Sequence, residues 1–86
     1  MKYQIRFKPK AEKELAKLPQ KNRIKINLTI AQLINNPLAG KRLQGEYAGY
    51  YSLRVWPYRI IYTIIKKQLL IVIIYIGHRQ GIYKQN

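Results

Sequence analysis

The stretch at residues 69–77, LLIVIIYIG, constrains the fold more than any other part of the chain. Its first eight residues are all apolar or aromatic, and most are β-branched. A helix crossing a bilayer needs about 20 such residues, whereas this length suits a strand buried on both faces. The run therefore predicts a central strand. Gly77, His78 and Arg79 come at its end, and Tyr83 lies four residues beyond Arg79. Side chains at the end of a stiff central strand are held firmly, as a binding or catalytic site requires.

The flanking sequence supplies the rest of a small domain. Residues 3–7 alternate, with Tyr3, Ile5 and Phe7 on one face and Gln4 and Arg6 on the other, as in a half-buried strand. Pro9 fits the first turn of a helix, and Ala11, Leu15 and Leu18 follow at i, i+4 and i+7. Glu12 and Glu14 lie near the positive end of that helix and Lys17 near the negative end, which marks them as dipole partners. Pro19 breaks this helix and opens a second, predicted over residues 20–35. Ile24, Ile26, Leu28, Ile30, Ala31, Leu33 and Ile34 cover most of its circumference, leaving a narrow polar stripe of Lys21, Lys25, Thr29 and Gln32. A helix so broadly apolar needs cover on two sides, and any surplus is a docking surface.

Gly40, Gly45 and Gly49 punctuate a loop over residues 38–49, which Lys41 and Arg42 make basic. Two alternating strands follow at residues 50–55 and 58–65. Trp56-Pro57 joins them, and proline cannot take the positive φ of a type I′ hairpin turn. A wider loop or a cis bond in a type VI turn is expected instead. The element order is β-α-α-β-β-β, with one extra short strand near Lys41 as an option. That is a single α+β domain over residues 1–86, with two helices on one face of a small, largely antiparallel sheet.

Charge narrows the function. Seventeen Lys and Arg face three Glu and no Asp, for a net charge of +14. Such a field attracts polyanions, chiefly nucleic acid, or an acidic protein. Scarce carboxylates, one His and no Cys leave too few ligands for a Mg²⁺, Ca²⁺ or Zn²⁺ site. Without Asp, a Ser-His-Asp triad is excluded as well. No metal or other cofactor is expected. No membrane segment is seen, and charges begin at Lys2, so no signal peptide is read and the cytoplasm is the expected location. Any catalysis must come from Arg, Lys, Tyr and the single His. Arg54, Arg59, His78, Arg79 and Tyr83 would converge if the strands form, offering guanidinium forks for phosphate and a tyrosine for base stacking.

These residues carry a family resemblance over nearly the whole chain. The segments FKPKAEKELAKLP, LINNP, GKRLQGEYAGYYSLRVWPYRIIYTI and IGHRQGIY resemble the RelE/ParE superfamily of toxins from type II toxin–antitoxin pairs. The resemblance implies the same small sheet with two helices on one side. RelE-like members cleave messenger RNA without a metal, typically on the ribosome; ParE-like members inhibit DNA gyrase. Both are neutralised by an antitoxin that wraps around them, so an acidic, partly disordered antitoxin and a hetero-oligomeric complex with it are expected.

In the RelE-type pattern, Arg59 in YRIIY matches the arginine that binds the scissile phosphate. Arg79 in GHR matches the one assigned to leaving-group stabilisation, and Tyr83 the tyrosine that stacks on or orients the substrate. Arg54 stands where lysine is frequent, and Ser52 where some members carry a lysine with a proposed base role. Arginine stays protonated at neutral pH and is no base, which leaves His78 and Tyr83 as the ordinary titrating groups, with His78 the candidate base. The catalytic set is thus Arg59, Arg79, His78 and Tyr83, and the RNA-contacting set Arg54, Lys41, Arg42 and Ser52. A DNA-topoisomerase inhibitor without nuclease activity and a non-catalytic basic nucleic-acid-binding domain are the alternatives.

Overall fold

The structure, a computed structural model, describes residues 2–78. Arg79 and Tyr83 therefore lie outside the described residues. Strand β1 (Gln4–Phe7) leads into helix α1 (Pro9–Lys17), with Pro9 in its first turn. Pro19 caps helix α2 (Gln20–Leu33), as proline's fixed φ and missing N–H allow. A two-residue strand β2 (Lys41–Arg42) then precedes β3 (Tyr50–Val55), β4 (Tyr58–Ile65) and β5 (Leu70–His78). The optional short strand near Lys41 is thus present. The Trp56-Pro57 bond between β3 and β4 is cis.

The sheet order is β1-β5-β4-β3-β2. All neighbours are antiparallel except β1 and β5, which run parallel. The centre of the sheet is therefore β4, not the apolar run, which lies one place over. That run also starts one residue late. Leu69 takes φ 51° in the turn after Ile65, so pairing begins at Leu70.

Both helices pack on one sheet face. Ala11 of α1 and Ile26, Ile30 and Leu33 of α2 share a buried cluster with Val55, Ile60, Tyr62, Ile71, Ile73 and Ile76. Among the described residues no helix lies on the far face, and β5 is not buried on both sides as expected: Ile71, Ile73 and Ile76 are buried, but Leu70, Val72 and Ile74 only half-buried.

Buried Tyr62 ties the segment after α2 to this core. Its hydroxyl donates to the Pro37 carbonyl at 2.7 Å and accepts from the Gly40 N–H at 2.9 Å. A side chain at position 40 would sit 2.8 Å from that hydroxyl, so the close approach requires glycine. Tyr51 stacks on the Tyr62 ring at 5.3 Å. Helix α2 carries more apolar surface than the core uses: Ile24 and Leu28, one turn apart, are 53% and 63% exposed.

Candidate functional site

Strand register decides which side chains meet. Residues directly opposite one another in a ladder project to the same face, and neighbours along a strand to opposite faces. On the face turned away from the helices, Lys41 of β2, Ser52 of β3, Ile61 of β4 and Tyr75 of β5 form one row. The next row is Arg54, Arg59 and Gly77. Four of the expected site residues, Lys41, Ser52, Arg54 and Arg59, thus gather on one face from three strands.

Their environments differ. Lys41 and Arg54 are exposed, and Arg59 is half-buried. Ser52, only 4% exposed, lies at the floor between the longer side chains. Arg59 Nη1 donates to Ser52 Oγ over 3.4 Å. Arg54 and Arg59 stand directly opposite each other. Like charges so placed are destabilising, and an anion between them, such as a phosphodiester, would offset that.

Two expected members do not join. Arg42 pairs with Tyr51 and so projects to the helix side. His78 pairs with Tyr58, and the two rings meet edge-on with centroids 6.0 Å apart. Tyr58 packs against the core on the helix side, so His78 is on the opposite face from Arg59, and a base role for it toward a phosphate held there finds no geometric support. The reason is a β-bulge: Tyr62 pairs with Ile73 but Ile61 with Tyr75, leaving Ile74 without a counterpart. The extra residue exchanges the two faces of β5 beyond it, bringing Tyr75 and Gly77 beside the arginines and sending His78 away.

Sequence reasoning assigned neither Tyr75 nor Gly77 to the site. The Tyr75 ring lies over Gly77, where a Cβ would be 2.8 Å from it, and Lys10 Nζ of α1 stands 5.2 Å from the ring centroid. Tyr75 thus brings an aromatic surface and a further cation to the edge of the basic face. The only available signal was a glycine at a strand end. Among the described residues, no group of three or more His, Cys, Asp or Glu could hold a metal, and no helix is long and apolar enough to cross a membrane.

Comparison with known proteins agrees with this architecture. Residues 5–83 match the family model of the ParE toxin of the type II toxin–antitoxin system. The toxin RelG of Mycobacterium tuberculosis is 34% identical over 87 residues, covering 99% of this chain and 100% of its own. The crystal structure of the RelBE2 toxin–antitoxin complex of the same organism contains a chain 33% identical, with a TM-score of 0.83, over 92% of this chain and 100% of that one. A chain in the RelB–RelE antitoxin–toxin complex of Methanococcus jannaschii is 29% identical, with a TM-score of 0.71, over 91% of this chain and 94% of its own.

Proposed function

The chain belongs to the RelE/ParE family as the toxin of a type II toxin–antitoxin pair, and we propose that it is an endoribonuclease that cuts messenger RNA, on the ribosome, without a metal ion. One observation carries this reading: the register that sets Lys41, Arg54 and Arg59 together on the helix-free face. The reaction is attack of a ribose 2′-OH on the adjacent phosphate. The P–O bond to the 2′-oxygen forms and the bond to the 5′-oxygen breaks, while a proton leaves the first oxygen and one reaches the second. Arg59 and Arg54 hold the phosphate and offset the charge that builds on it, a preorganised electrostatic effect. Lys41 tracks the RNA backbone. Arg79 and Tyr83 enter this proposal on their positions in the GHR and C-terminal Tyr pattern, as leaving-group and substrate-orienting residues.

The relatives are found in toxin–antitoxin complexes, and in this reading a cognate antitoxin binds and neutralises this chain. An acidic segment suits the +14 charge, and the exposed Ile24 and Leu28 beside Lys21 and Lys25 offer an amphipathic helix its seat. A cytoplasmic location follows from the target.

Primer extension on messenger RNA after brief induction tests the nuclease reading. New 5′ ends with the wild-type chain, absent with Arg59→Ala, support it; intact transcripts under full toxicity overturn it. A second reading, inhibition of a DNA topoisomerase, is favoured by the ParE family match and by Ser52 at a position where some relatives carry lysine. Supercoiling defects without RNA cuts would select it.

A further inference from the structure

We infer that Ser52 is a positioning residue: its hydroxyl anchors the Arg59 guanidinium so that the fork is aimed before RNA arrives. The inference rests on the nuclease reading for its function, though not for its geometry. At 4% exposure Ser52 is too deep to grip RNA itself. Like the Tyr62 hydroxyl, that of Ser52 is buried, and a buried hydroxyl is normally kept only with a hydrogen-bond partner. Here that partner is Arg59 Nη1, at 3.4 Å.

The ladder explains why Arg59 needs an anchor. Its direct neighbour across the strands is Arg54, a like charge. With no phosphate bound, the two like charges repel across the ladder, which disfavours any Arg59 orientation toward Arg54. Ser52 lies on the diagonal from Arg59, beside Ile61, within reach of a long side chain. A hydrogen bond there holds Arg59 back against the sheet while Arg54 stays exposed. Catalytic hydrogen bonds are commonly long before the substrate binds and tighten afterwards, so 3.4 Å suits a resting site. Aiming a donor in advance removes reorganisation from the reaction itself. The serine thus acts on turnover through Arg59, leaving the net charge that attracts RNA unchanged.

The test compares Ser52→Ala, Ser52→Thr and Ser52→Val in single-turnover and steady-state cleavage. Thr and Val have nearly the same shape and differ in the hydroxyl, so the pair separates hydrogen bonding from packing. The expected result is a fall in kcat of about 10-fold for Ala and Val, the scale of a lost bond to a charged group. KM should stay within roughly 2-fold and Thr close to wild type, since the charge that binds RNA is retained. In an Arg59→Lys background, which lacks the fork, Ser52→Ala should add nothing further. Equal activity of Thr and Val, or an undiminished cost of Ser52→Ala beside Arg59→Lys, overturns the inference. If the wild-type chain cuts no RNA, the nuclease reading fails on its own, and nitrogen NMR of the Arg59 guanidinium still decides. Rotation about its Cζ–Nε bond slower in wild type and Ser52→Thr than in Ser52→Ala supports the anchor; equal rates refute it.

Discussion

Replacing Arg54 should move stability and RNA binding in opposite directions, because the residue is misplaced for the fold and well placed for an anion. Arg54 faces Arg59 across the β3–β4 ladder and is exposed. Two exposed unit charges about 8 Å apart in water repel by roughly 0.5 kcal/mol, within the range for cross-strand pairs. Arg54→Thr removes that repulsion and places a good strand former in β3. For a domain of this size the gain is a rise in Tm of about 2–4 °C. Salt supplies an internal control. The screening length is about 10 Å at 0.1 M and about 3 Å at 1 M, so the electrostatic part of the gain should vanish in high salt. Binding should fall instead. If Lys41, Arg54 and Arg59 each meet one phosphate, log affinity for single-stranded RNA falls with log salt at a slope near −2, and Arg54→Thr makes it shallower by about 0.7. Thermal melts followed by circular dichroism and fluorescence titrations across a salt series give both numbers. A lower Tm at low salt, or an unchanged slope, would refute the idea that the pair is held for an anion.

Two further outcomes concern the core and the helix surface. Tyr62→Phe removes both hydrogen bonds that hold Pro37 and Gly40, at a cost of about 2 kcal/mol and roughly 10 °C in Tm. Burial is the main reason the Tyr62 hydroxyl titrates above its ordinary value of 10.0; the Tyr51 neighbour adds to it and the Gly40 N–H opposes it. The unfolded chain therefore loses this proton first. The stabilisation is complete below about pH 10 and is lost as pH rises through the folded-state value. Urea melts should show the advantage of wild type over Tyr62→Phe shrinking above about pH 10; a constant gap would contradict the assignment. Leu28→Glu, at a position 63% exposed, should change stability by less than about 0.5 kcal/mol and leave RNA cleavage intact. It should weaken the antitoxin complex at least about 10-fold by calorimetry, since it sets an acid against an acidic partner and removes an apolar contact. Undiminished affinity would move the antitoxin off this face.

Periodicity made most of the architecture legible. Tyr3, Ile5 and Phe7 alternate because one sheet face is solvated, and Ala11, Leu15 and Leu18 recur at helical spacing because one stripe meets the sheet. Pro9 and Pro19 open the helices where a missing N–H does no harm. Trp56-Pro57 adopts the cis bond, one of the two arrangements its hairpin position left open. The parallel pairing of β1 with β5 was not written in any local pattern. It sets β1 outside the apolar run, which keeps that run interior, while β3 and β2 beyond β4 leave β4 at the sheet's centre.

The face of His78 was illegible for a specific reason. Alternation reports a register only where apolar and polar residues take turns. From Leu70 to Ile76 every residue is apolar or aromatic, so a strand with an inserted residue and one without it satisfy the same pattern. The structure places the insertion at Ile74. Two consequences separate the possibilities. Ile76 goes into the core at 1% exposure, where regular alternation from Ile71 and Ile73 would have put Tyr75. Gly77 then comes level with Arg59, and the missing Cβ leaves room for the Tyr75 ring at that position. With regular alternation, an imidazole and an isoleucine would have stood on the arginine face in place of a tyrosine and a glycine. The chemistry of that face thus turns on one extra isoleucine in a stretch where hydrophobicity alone is blind to register.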